Sequence, residues 1–224
     1  MRPCSKKLNM INQKNFCLLF FIGVSFFFIS CDNSGNKNEW SVYGGSKERI
    51  QYSALDAIDT SNVKNLQLAW IYHTKDAESG SQIQANPLIV DGVLYGVSAK
   101  LKIFAVDALN GKEKWVFDPV DSMMVDIQGR QSYGMNACRG IALYRGKNQE
   151  HLLFYTVGSS LFCINSATGK PVLSFGTKGR IPLHDGLDLD RDLSNLRVTA
   201  TSPGVIYKDL IILGTSLSEE EESA

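Results

Sequence analysis

An all-β chain built from a recurring four-stranded unit is predicted by three features of the sequence. From Trp40 onward, short runs of Val, Ile, Leu, Phe and Tyr are broken by Gly, Asp and Asn, with no legible amphipathic helix. Asp-Gly and Asn-Gly dipeptides separate several of those runs. A string of nine residues, Phe104 to Lys112, recurs as Phe162 to Lys170.

The first stretch is unlike the rest. Lys6, Lys7 and Lys14 precede an apolar run of 14 residues, Phe16 to Ile29. A transmembrane helix needs about 20 residues, so the run suits the apolar core of an export signal. Ser30-Cys31 closes it before the polar stretch 32–39, and a small residue directly before a Cys resembles the lipobox of bacterial lipoproteins. The expected organisation is a lipoprotein-type leader over 1–31 with Cys31 as the lipidated residue, a linker over 32–39, and a folded body over 40–224. An ordinary cleaved signal and an uncleaved anchor are the alternatives; all three export the body.

Within the body, Leu66 to Tyr72 reads as an outer strand carrying Trp70, 45 residues before Trp115. Pro87 to Val90, Asp91-Gly92 and Val93 to Val97 read as a hairpin, because Asp-Gly tolerates the positive φ of a tight type I′ turn. Leu101 to Val106, the turn Asn110-Gly111 and Lys114 to Phe117 complete a four-stranded meander. The second copy of the string places Gly169 58 residues after Gly111. Gly204 to Gly214 repeats the hairpin pattern a third time. Repeats of about 40–50 residues with four strands each predict a β-propeller; a β-sandwich with accidental internal similarity is the alternative. Residues 40–224 hold three to four such units, and an open array leaves sheet edges unpaired. The chain is therefore expected to be the N-terminal piece of a larger propeller.

Composition sets the outer bounds. The 224 residues carry 23 Lys+Arg against 23 Asp+Glu and are 44% hydrophobic, which supports a packed core and excludes wholesale disorder. A charge balance of zero argues against a nucleic-acid partner, which calls for a basic face. Of five cysteines, only Cys138 and Cys163 fall in the body, where a bridge and two buried thiols are both open readings. His73, His151 and His184 are too scattered for a zinc motif. The Asp-rich stretch His184 to Asp192 imitates a calcium loop, but Leu193 and Thr199 stand where that loop calls for Gly and Glu, so it reads as a polar connection.

Trp40-Ser41-Val42-Tyr43-Gly44-Gly45, Arg49, Tyr52-Ser53, Asn62-Val63 and Ala69-Trp70-Ile71-Tyr72 resemble the opening of dehydrogenases that depend on pyrroloquinoline quinone (PQQ). Cys138-Arg139-Gly140 and Thr201-Ser202-Pro203 are similar to strings of the membrane-associated glucose dehydrogenase branch. The resemblance covers essentially all of 40–224. It implies an eight-bladed ring with PQQ beside a Ca²⁺ or Mg²⁺ ion. The implied activity is oxidation of a sugar or alcohol in the periplasm, with electrons passed to a respiratory quinone or cytochrome c. It further implies cofactor contacts at Gln84, Arg139, Thr201 and Ser216 and an acidic metal ligand at Glu219. Gln84 departs from the Glu usual there. Tyr133 to Ala137 lacks the adjacent cysteine pair of many alcohol-oxidising relatives, and Met135 stands where the glucose branch has a His. The family's catalytic Asp, cofactor-binding Lys and stacking Trp fall beyond this chain, so no catalytic residue is assigned. The alternative function is a non-catalytic lipoprotein propeller serving as an assembly scaffold or binding module.

Overall fold

The computed structural model describes residues 39–119, 138–147, 150–187 and 198–217. The leader with Cys31, the Met135 region, the later part of the Asp-rich stretch and Glu219 lie outside the described residues. All the described residues fall within one compact unit, 37–224.

The predicted meander is present. Strands β1 (Leu88–Val90), β2 (Val93–Val97), β3 (Ile103–Asp107) and β4 (Glu113–Phe117) form an antiparallel sheet in sequence order. Asp91 (φ 50°) and Gly92 (φ 73°) make the left-handed turn that joins β1 to β2, as their types require. Register places Leu88, Tyr95, Ala105 and Trp115 on one face, together with Val90, Val97, Ile103 and Phe117. That face is the buried one, with Leu88, Ile103 and Ala105 wholly inaccessible to water.

A second sheet repeats the plan with β5 (Ala142–Arg145), β6 (His151–Val157), β7 (Ser160–Asn165) and β8 (Arg180–Pro182). Its β6 and β7 are buried on both faces, which explains their nearly continuous apolar sequence. Leu153, Tyr155, Phe162 and Ile164 meet the first sheet in one core cluster. Phe154, Leu161 and Cys163 on the opposite face form a second cluster with Ile206, Ile211 and Leu213 of the third repeat. Full burial of each large side chain stabilises the stack by about 1.5–3 kcal/mol.

The third repeat is partial among the described residues. It comprises the hairpin β10 (Val205–Tyr207) and β11 (Leu210–Ile212) and the short pair β9 (Val198–Thr199) with β12 (Ser216–Leu217). Val205, Tyr207, Leu210 and Ile212 share the face that no described residue covers and are each more than half exposed. Among the described residues, two complete sheets and this partial third are present of the expected three to four units. Leu66–Tyr72, expected as an outer strand, is not assigned to a strand, and none of the backbone hydrogen bonds among the described residues involves 67–75.

The recurring string fulfils one structural role twice. Trp115 of β4 donates its indole N–H to Ser166 O at 2.9 Å and lies flat on Gly169; Trp70 donates to Ala108 O at 3.2 Å and lies on Gly111. A Cβ on either glycine would fall 2.5–2.6 Å from the indole ring, so the Gly of each Gly-Lys turn is set by the close approach of a tryptophan from the preceding repeat.

Candidate cofactor site

The segments that lead into the first strand of each repeat are stitched side by side. Asn86 N–H donates to Arg139 O at 2.9 Å, and Arg139 N–H donates to Thr201 O at 2.8 Å. Asn86 and Gly140 form a parallel bridge. From behind, the Thr156 hydroxyl donates to Ala200 O at 2.5 Å in a buried position. Residues 53 and 62 apart in sequence are thereby held in fixed register through their backbones alone.

This stitching gathers the residues that the sequence nominated. Gln84 is two residues before Asn86 and exposed; Arg139 is exposed between its two backbone partners; Thr201 is half-buried on the neighbouring segment. Ser216 pairs with Thr199 across β12 and β9, its hydroxyl 3.0 Å from that of Thr199. Three candidates thus stand on adjoining segments, and the fourth joins the same strand pair two residues upstream of Thr201. Glu219 lies outside the described residues, and among the described residues no group of three or more His, Cys, Asp or Glu is placed to hold a metal.

Cys138 and Gly140 frame Arg139 for separate reasons. The Cys138 thiol is buried and donates to Gly140 O at 3.2 Å; burial pushes its pKa up to about 11, so it is a packing group and not a nucleophile. A Cβ at Gly140 would fall 2.8 Å from the Tyr43 ring, so this position admits only glycine while the opening segment covers it. Cys163 is on the opposite face of the second sheet, in the other core cluster, and both thiols are free. The open question between a bridge and two thiols is settled in favour of thiols.

Asn86 and Thr156 escaped sequence reading, and Tyr43 was read only as part of the opening string. The first acts through its main chain, the second through a buried carbonyl far along the chain, and the third by resting on a glycine. None of these roles leaves a local motif.

Chemically, the candidate set is one guanidinium, one carboxamide and two hydroxyls, with no carboxylate among them. Such a set complements a polycarboxylate, since a guanidinium pairs in bidentate fashion and hydroxyls complete the acceptors. It contains no general base.

Comparison with known proteins identifies the family to which the fold belongs. The chain is 26% identical over 197 residues to the quinoprotein glucose dehydrogenase of Escherichia coli (strain K12), covering 81% of this chain and 24% of that protein. It is 34% identical over 189 residues to the dehydrogenase subunit of the quinone-dependent alcohol dehydrogenase of Komagataeibacter europaeus, covering 84% of this chain and 23% of that one. The crystal structure of quinohemoprotein alcohol dehydrogenase from Comamonas testosteroni superposes with a TM-score of 0.58 at 25% identity, over 83% of this chain and 24% of that chain. The chain spans about a quarter of the length of these relatives. A family model described as the β-propeller domain of PQQ-dependent glucose, ethanol and alcohol dehydrogenases matches residues 40–224, and the chain belongs to that family.

Proposed function

We propose that this chain supplies the leading blades of a PQQ-dependent dehydrogenase that oxidises the hydroxyl of a glucose-like sugar or an alcohol in the periplasm. Its electrons pass to a respiratory quinone or cytochrome c. The observation that supports this reading is the backbone stitching of Asn86 to Arg139 and of Arg139 to Thr201, which sets the segments bearing Gln84, Arg139 and Thr201 side by side. Arg139 would pair with a PQQ carboxylate, Thr201 and Ser216 would donate hydroxyl hydrogen bonds, and the Gln84 amide would donate where relatives accept. Glu219 would be the chain's carboxylate ligand for Ca²⁺ or Mg²⁺. Bound PQQ supplies the two-electron acceptor; the chain's own residues bind and orient it. A lipid on Cys31 would anchor the protein on the periplasmic side of the envelope. The missing cysteine pair sets the chain apart from many alcohol-oxidising relatives and Met135 sets it apart from the glucose branch, so the reading spans both sugars and alcohols.

The test is PQQ binding in the presence of Ca²⁺ by the complete dehydrogenase that carries these blades, followed by tryptophan fluorescence and by the shift in Tm. Arg139→Gln removes a charge-assisted bond of about 1.5–3 kcal/mol, so affinity should fall about 10- to 100-fold. Equal binding by the wild type and the variant, or none by either, refutes the reading and favours a non-catalytic scaffold.

A further inference from the structure

A cavity opens along β5. It measures about 350 Å³ and lies between the loop Ser41–Arg49, strand β5 and the start of β10. Arg139 leads into β5, and Ile141 to Arg145 run along the cavity.

The lining is one-sided in charge. Lys47, Arg49, Arg145 and Lys208 border the cavity, and no Asp or Glu does. Arg145 is paired with Glu39. The other three have no carboxylate partner among the described residues. Arg49 is over the Tyr43 ring at 5.3 Å, and Lys208 is 5.4 Å from the Tyr207 ring centre. Both cations sit on left-handed backbone, at φ 55° and 54°, a conformation that non-glycine residues keep only when their surroundings impose it. Ser46 lines the same cavity, and its hydroxyl is buried without a hydrogen-bond partner. Leu143 and Ile206 give it an apolar floor. Like charges around one cavity, without a carboxylate partner among the described residues, repel, and a buried hydroxyl without a partner is destabilising. An anionic guest with an apolar body relieves both.

We propose that this cavity binds a small organic dianion, with carboxylate or phosphate groups on Lys47, Arg49 and Lys208, an acceptor oxygen on the Ser46 hydroxyl, and its apolar part on Leu143 and Ile206. The volume is at the lower end of small-molecule pockets. The inference does not rest on the PQQ reading: Ile141 of the cavity wall lies in a stitched segment, but none of the residues named for the guest does.

The test is isothermal titration of the chain with naphthalene-2,6-dicarboxylate, its neutral diamide and inorganic phosphate. Lys47 and Lys208 are exposed, so the double variant Lys47→Gln, Lys208→Gln keeps the fold, checked by circular dichroism. The dicarboxylate should bind, and its affinity should fall on the order of tenfold in the double variant. It should be unchanged in Lys112→Gln, which removes one exposed cation elsewhere. Binding should weaken with added salt. No binding at millimolar dicarboxylate, equal affinity in the double variant, or equal affinity for the diamide overturns the proposal. Phosphate binding as tight as the dicarboxylate overturns the role of the apolar floor.

Discussion

Replacing Gly169 by Ala tests the junction between the first two repeats. Gly169 has φ +69°, and a Cβ there would fall 2.5 Å from Trp115 Cδ2. Ordinary carbon contacts are about 3.5–4.0 Å, so the indole must retreat by about 1 Å. Its hydrogen bond to Ser166 O, now 2.9 Å, would then stretch beyond bonding distance. The left-handed backbone costs about 1–2 kcal/mol for a residue with a Cβ. The lost hydrogen bond costs about 0.5–1.5 kcal/mol, and lost ring packing adds about 1 kcal/mol. Gly169→Ala should therefore destabilise the chain by about 3 kcal/mol in urea denaturation. In a Trp115→Ala background only the backbone cost of about 1–2 kcal/mol remains, leaving a coupling of about 2 kcal/mol between the two positions. Gly92→Ala is the control: φ is +73° and nothing lies within 4 Å of the added carbon, so only the backbone cost applies. A double-mutant cycle that closes to within about 0.5 kcal/mol would refute the docking of Trp115 on Gly169.

Two further outcomes follow from buried groups. Burial raises the Cys138 and Cys163 pKa values to about 11 and about 12 from an ordinary value of 9.0. Folded thiols then stay protonated while unfolded ones ionise, so stability is complete below pH about 9 and falls as pH rises toward 11. Alanine at either position should reduce that slope by up to about 1.4 kcal/mol per pH unit, and a slope unchanged by both replacements would refute the burial. The Tyr155 hydroxyl is fully buried without a hydrogen-bond partner, so Tyr155→Phe should leave Tm unchanged or raise it. A loss of about 1 kcal/mol or more would instead show that the hydroxyl is bonded.

The turns were the most legible part of the sequence, because Asp91-Gly92 and the two Gly-Lys turns need residue types that few other conformations select. The first sheet was readable because turn and strand signals alternate along it. Trp70 was placed correctly by spacing alone, but its segment lacks the sheet partners expected of an outer strand among the described residues. The third repeat was read only as a hairpin pattern, and the structure adds the pair β9–β12 that carries Ser216. The site was legible as separate residues, not as an assembly. Main-chain bonds such as Asn86 to Arg139 are blind to side-chain identity, so no motif announces them.

The indole-on-glycine junction also gives the array a direction. Each tryptophan is offered by one repeat and received by the next, so the two surfaces that meet are different in kind. Such a contact propagates head to tail and cannot be satisfied by two copies related by a two-fold axis. Four residues after Gly169, where the preceding repeat has Trp115, the chain has Leu173, 70% exposed. The second sheet therefore offers no indole at the matching position. A lesion at one such clasp is confined to the two repeats that share it, as in any structure whose stability is a sum over neighbouring pairs.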